Sequence, residues 1–176
     1  FATQAEVISG LLSPNVFPDA VLSDHPDRLR VLWVDSANPV NTAADTARVL
    51  QAMAALDLLV VVDVAYTETA AQADYVLPAA STFEKCEFTL FNFELPTNYF
   101  HVRAPVLPPL PGTLSEPEIY GRLARAMGLM PDDALLDTLR AAAGDPARFG
   151  AAFAEAAAAD KNVGKLGGQV LYETLG

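Results

Sequence analysis

The sequence predicts an α/β protein: a three-layer α/β/α arrangement around a parallel sheet, with a helical C-terminal tail. Three observations carry this. Two apolar runs, RLRVLWVD at 28–35 and LLVVVDV at 58–64, are continuous rather than alternating, as befits strands covered on both faces. A stretch with helical periodicity separates them. The last third of the chain is cut by proline and glycine into pieces of helix length.

Each element follows in order. The first run is rich in Val and Leu and is bounded by Pro26 and by Ser36-Ala37-Asn38-Pro39, which marks a buried strand ending in a turn. Asn41 or Thr42 can cap a helix running to about Leu56, since Val49, Leu50, Met53 and Leu56 recur on one side. The second run is the second strand. TETAAQA at 67–73 is long enough for one or two helical turns, and Tyr75 to Leu77 supplies a third, short strand. Strand, helix, strand, short helix, strand implies right-handed parallel crossovers and a doubly wound, Rossmann-like sheet.

Beyond Phe88 the pattern changes. Residues 88–111 mix aromatics with Pro105, Pro108, Pro109 and Pro111 and show no clear period, so an extended strap over the surface is expected. Three helices then follow: EPEIYGRLARAMG closing on Gly128, PDDALLDTLRAAAG closing on Gly144, and DPARFGAAFAEAAAAD. KLGGQ reads as a flexible exit. The expected division is an α/β domain over 1–128 and a helical tail over 129–176.

Composition excludes several function classes. About half of the 176 residues are apolar, enough for a domain with a core, and the formal net charge is −11 with no Lys/Arg run. A nucleic-acid or anionic-membrane partner is therefore disfavoured. Cys86 is the only cysteine and His25 and His101 the only histidines, too few to ligate an iron–sulfur cluster or close a zinc site. No apolar run approaches the roughly 20 residues of a membrane span, and no basic segment leads into a hydrophobic one at the start. The expected location is the cytoplasm. The chain starts at Phe1, which reads as a piece of a longer polypeptide.

Ligands of open parallel sheets sit beyond the carboxyl ends of the strands, which directs attention to Asp35–Pro39, Asp63–Thr67 and Pro78–Lys85. No glycine-rich phosphate loop follows the first strand, which argues against a nicotinamide or flavin module. Asp63, roughly 25 residues past the first turn, suits an acid that accepts from a ribose or base edge, and equally suits a helix cap or turn former. Plainer readings stand beside the functional ones elsewhere. Asn38 fits an Asx turn, Lys85 a surface ion pair with Glu84 or Glu87, and Cys86 a small buried hydrophobe.

Taken together, LWVDSANP at 32–39, DVAYTETAAQADYVLPA at 63–79, FEK at 83–85 and PGTLSEPEIYGRLARAMG at 111–128 resemble the third domain of the molybdopterin-dependent oxidoreductases. That family shows phrases like (V/L)WV-x-G-x-NP and D-x-x-x-TET-A-x-x-AD-V-V-LPA-x-x-x-x-EK. The resemblance covers about 30–128. It implies a domain that seats the guanine dinucleotide part of a molybdenum bis(molybdopterin guanine dinucleotide) cofactor in the full-length enzyme. The metal and pterin then perform the redox chemistry.

By the same resemblance, Ser36 and Asn38 lie in the turn lining the guanosine, and Asp63 with Val62 beside it accepts from guanine or ribose donors. Lys85 approaches the phosphates and Glu116 adds a polar contact. Ser36 stands where the family usually has glycine. After FEK the chain reads CEFTLFNFELPTNYFHVR instead of the usual Gly-containing phrase, which places it in a divergent branch. The molybdenum ligand and cluster cysteines belong to other parts of such enzymes. The isolated chain is therefore expected to be inactive and cofactor-free, its partners being the remaining domains of the same polypeptide. Two alternatives are a non-catalytic scaffold of the kind found in the large peripheral subunit of respiratory complex I, and an independent nucleotide-binding module.

Overall fold

A computed structural model describes Thr3 and residues 11–88, 96–99 and 101–175. The chain forms two compact units, Phe1–Leu114 and Ser115–Gly176. In the first, α1 (Phe17–Leu22) precedes β1 (Val31–Asp35), α2 (Pro39–Thr42) and α3 (Thr46–Ala54) precede β2 (Leu58–Asp63), and a 3-10 turn at Ala70–Gln72 leads to β3 (Tyr75–Pro78). All three strands are parallel, in the order β1-β2-β3. The α/β expectation holds.

The strands form where the apolar runs place them because their side chains become the core. Leu59, Val60, Val61 and Val62 are buried, so both faces of β2 are covered, as its uninterrupted apolar sequence requires. On one face Leu59 and Val61 join Val34, Val40, Val49, Met53 and Ala70 in a single cluster, with Phe17 packed against it. Arg28 ties the helix ends down: its guanidinium donates to the carbonyls of Val21 (3.3 Å) and Ala55 (3.1 Å).

The helix expected from 41 to about 56 is two helices. Ala43 is extended and Asp45 takes a left-handed conformation (φ 58°), from which its carboxylate caps α3 by accepting from the Arg48 N–H (3.1 Å). A β-carbon disfavours that backbone region, but the short Asp side chain tolerates it by bonding locally. The apolar periodicity continues across the break, which is why the sequence does not reveal it.

Within 88–111, a short antiparallel ribbon pairs β4 (Glu87–Phe88) with β5 (Val102–Arg103). Residues 89–95 and Phe100 lie outside the described residues. After the ribbon the chain runs without helix or strand as far as Leu114 and is stitched to the preceding loop: Val106 and Leu107 donate their N–H groups to the Phe83 carbonyl (2.8 and 3.0 Å). It ends beside β3, where Leu114 makes a single parallel bridge to Ala79.

The second unit comprises α4 (Glu116–Ala126), α5 (Asp133–Ala142), α6 (Pro146–Ala159), α7 (Lys161–Lys165) and α8 (Gly167–Leu175). The boundary between units thus falls ahead of α4, not after Gly128, because α4 is bound to this helical set. Arg125 on α4 pairs with Asp133 (3.1 Å) and with Glu173 on α8 (3.2 Å). KLGGQ is not a flexible exit but the junction into α8. Val163 and Val170 are fully buried with Leu136 and Leu139, and this burial outweighs the helix-weakening effect of two glycines, about 1 kcal/mol each. Among the described residues no helix is long and apolar enough to cross a membrane.

Candidate functional site

Parallel strands in this register bring three turns to one edge. Asp35 is opposite Val62, and Asp63 is opposite Pro78. The ladder continues one step past each strand: the Ser36 N–H donates to the Val62 carbonyl (2.9 Å) and the Ala79 N–H to the Asp63 carbonyl (3.0 Å). With neighbouring strands about 4.8 Å apart, the ends of β1, β2 and β3 span about 10 Å of rim. Ser36, Val62 and Asp63 are therefore neighbours at this edge.

Their chemistry differs from one to the next. Ser36 sits at φ 52°, a left-handed position that favours glycine, and its hydroxyl donates to Asp35 Oδ1 (2.9 Å). Val62 is fully buried and its carbonyl is engaged by Ser36, so its contribution is to the sheet. Asp63 is half-buried, and its Oδ1 accepts from the Ala65 N–H (3.0 Å), which closes an Asx turn.

Asn38 reaches across to the TET segment. Its side-chain oxygen accepts from the Thr69 N–H (3.2 Å) and from the Thr69 hydroxyl (2.7 Å), while its Nδ2 donates to Glu68 Oε2 (2.7 Å). Thr69 is fully buried, and its hydroxyl in turn accepts from the Val40 N–H (3.2 Å). Thr67 contributes locally, its hydroxyl accepting from the Ala70 N–H (3.1 Å) to start the 3-10 turn. Hydrogen bonding to the Asn38 amide holds the Glu68 carboxyl below the usual carboxylate range.

The third turn is built around Glu84. Its carboxylate accepts from the Ser81 N–H (2.7 Å) and the Leu110 N–H (3.0 Å), and these bonds, that to Ser81 foremost, hold its pKa below the ordinary value. Lys85 follows directly and is half-buried. Glu87 pairs with Arg103 (2.8 Å), whose guanidinium also lies over the Phe83 ring, 5.5 Å from its centre. Cys86 is exposed rather than buried: it lies in the short link between the turn at 82–84 and β4, outside the core clusters. Glu116 opens α4 in the other unit, next to a cap in which Glu118 accepts from the Ser115 N–H and hydroxyl (both 3.1 Å).

Glu68 and Thr69 are the residues that reading the sequence for strand-end acids missed. Their signal was present in the TET phrase, but what it pairs with lies 30 and 31 residues earlier. Among the described residues no group of three or more His, Cys, Asp or Glu is arranged to hold a metal ion.

A parallel sheet with polar turns gathered at its carboxyl edge defines an α/β domain of the kind that meets ligands at its strand ends. Residues 4–123, more than half of the chain, match the molybdopterin oxidoreductase family model. The chain belongs to the molybdopterin oxidoreductase family. The family implies a molybdenum–pterin cofactor. A probable oxidoreductase of Bacillus subtilis (strain 168), YoaE, is 36% identical over 109 residues, covering 61% of this chain and 16% of that protein. The alpha subunit of an F420-dependent formate dehydrogenase 1 of Methanococcus maripaludis is 39% identical over 84 residues, 46% of this chain and 12% of that one. The chain thus spans about a sixth or less of the length of these relatives. Acetylene hydratase from Pelobacter acetylenicus shares the fold over 70% of this chain and 17% of its own, with a TM-score of 0.61 at 23% identity.

Proposed function

We propose that this chain is the cofactor-binding domain of a molybdopterin-dependent oxidoreductase and that its strand-end rim seats the guanine dinucleotide part of a molybdenum bis(molybdopterin guanine dinucleotide) cofactor. The observation that carries the reading is the set of hydrogen-bond acceptors on the rim in a chain of this family. Asp35, Asp63 and Glu68 gather three carboxylates at the turns after β1 and β2. Acceptors of this kind suit the N–H groups of guanine and the hydroxyls of ribose; they repel phosphate. The rim therefore fits the nucleoside end, and the pyrophosphate falls to Lys85 on the third turn. When bound, the molybdenum and pterin supply the redox chemistry, while this domain supplies binding and orientation. The partners are the other domains of the same polypeptide. A scaffold role of the complex I type has one observation on its side, since the Asn38 amide is spent on contacts within the protein.

The deciding experiment is Asp63→Ala in the full-length enzyme. A lost charge-assisted hydrogen bond should remove about 1.5–3 kcal/mol of cofactor affinity, giving molybdenum-poor, inactive protein with an unchanged circular dichroism spectrum. A variant that unfolds yet keeps full cofactor occupancy in its folded fraction would make Asp63 a turn former only. Full molybdenum content in Asp63→Ala and in Lys85→Ala together would favour the scaffold.

A further inference from the structure

The hydrogen bonds joining the SANP and TET segments have only one consistent direction. The Thr69 backbone N–H can only donate, so the Asn38 side-chain oxygen, not its nitrogen, must face it. The Thr69 hydroxyl gives its proton to the same oxygen and accepts from the Val40 N–H. The Asn38 nitrogen is then forced outward, onto Glu68 Oε2 at 2.7 Å. Thr69, fully buried, anchors the chain of bonds; Glu68, exposed, ends it.

The choice of partner matters more than the distance. The carboxylates of Asp19, Asp57, Glu87 and Glu173 pair with arginines, which offset their charge, whereas those of Asp35, Asp63 and Glu84 take neutral donors. Glu68 belongs to the second group: a neutral side-chain amide orients it and, among the described residues, no ion pair offsets its charge. An oriented carboxylate beside the strand ends is an acceptor for incoming donors.

We propose that Glu68 is a binding residue for the nucleoside donors of the cofactor and that Asn38 and Thr69 are its positioning residues; this rests on the function proposed above. The Glu68 carboxyl is held below the usual carboxylate range, first by the Asn38 amide and then by Glu68's own backbone N–H, in line with this geometry.

The test is made in the full-length enzyme, reading molybdenum per polypeptide and thermal midpoint. Glu68→Gln, at an exposed position, should lower cofactor affinity about tenfold with the midpoint unchanged. Thr69→Val, which keeps the shape and removes the hydroxyl, should lower it similarly, and Thr69→Ser should restore it to within about twofold. Asn38→Asp sets a second carboxylate against Glu68. Its loss of cofactor should be severe at pH 8 and partly relieved near pH 5, where one acid of the pair holds a proton and again donates. Should Thr69→Val fail to fold, Glu68→Gln and the pH profile of Asn38→Asp decide the matter. Full occupancy in Glu68→Gln, or a pH-independent Asn38→Asp, would overturn the assignment. If Asp63→Ala loses the cofactor while Glu68→Gln keeps it, only this inference fails; if both keep it, the binding function fails with it.

Discussion

Ser36 holds a backbone conformation that a side chain resists, at φ 52° immediately after β1. The left-handed region costs an ordinary residue about 1–2 kcal/mol, and a branched β-carbon more, whereas glycine enters it freely but is harder to order. The offsetting terms predict that Ser36→Gly stays within about 1 kcal/mol of the parent, while Ser36→Val loses about 1–3 kcal/mol, both measured by urea denaturation. The glycine that the family usually carries at this position thus answers a backbone requirement, and this chain meets it with a serine whose hydroxyl bonds Asp35. At the same scale Asp63 was legible as a strand-end acid, and its Asx turn was one of the two readings the sequence left open. That Val62 presents a buried side chain and an occupied carbonyl was not legible, because an apolar residue before an acid looks the same whether or not its backbone is engaged.

At the scale of elements, one carboxylate adds to the bonds that hold the loop after β3. Glu84 accepts from two backbone N–H groups that are far apart in sequence, Ser81 and Leu110, and so helps fasten the loop to the segment after β5. Its folded pKa is depressed, so its contribution is complete above the pKa of the unfolded chain and is lost as the pH falls through the folded value. Acidification through that range should therefore speed hydrogen exchange of the Ser81 and Leu110 amides beyond the intrinsic trend. Glu84→Ala should abolish this extra pH dependence; an unchanged exchange profile would show that the carboxylate does not fasten the loop. The strands were readable because continuous Val/Leu runs have few alternatives to a buried parallel sheet. The break between α2 and α3 was not, since the capping by Asp45 from a left-handed position leaves the apolar period intact. The last helix was misjudged for the opposite reason: two glycines looked decisive locally, and Val163 and Val170 packing on Leu136 and Leu139 overruled them.

For the molecule as a whole, the scarcity of metal ligands sets a clear expectation. With one cysteine and two histidines in 176 residues, the purified chain alone should carry no stoichiometric molybdenum or iron, and elemental analysis by mass spectrometry checks it. Finding either metal at one equivalent would mean that the chain has ligands of its own. By itself the sequence determined the α/β class, the parallel strands and the family, because hydrophobic runs and short motif phrases are properties of consecutive residues. It also marked SANP and TET as the segments to watch. Only the tertiary structure decided what those segments do to each other. Asn38, Glu68 and Thr69 are joined by side-chain hydrogen bonds between two turns, and such bonds have neither period nor local signature. They exist because β1 and β2 lie side by side in register, which places turns some 30 residues apart at one edge of the sheet.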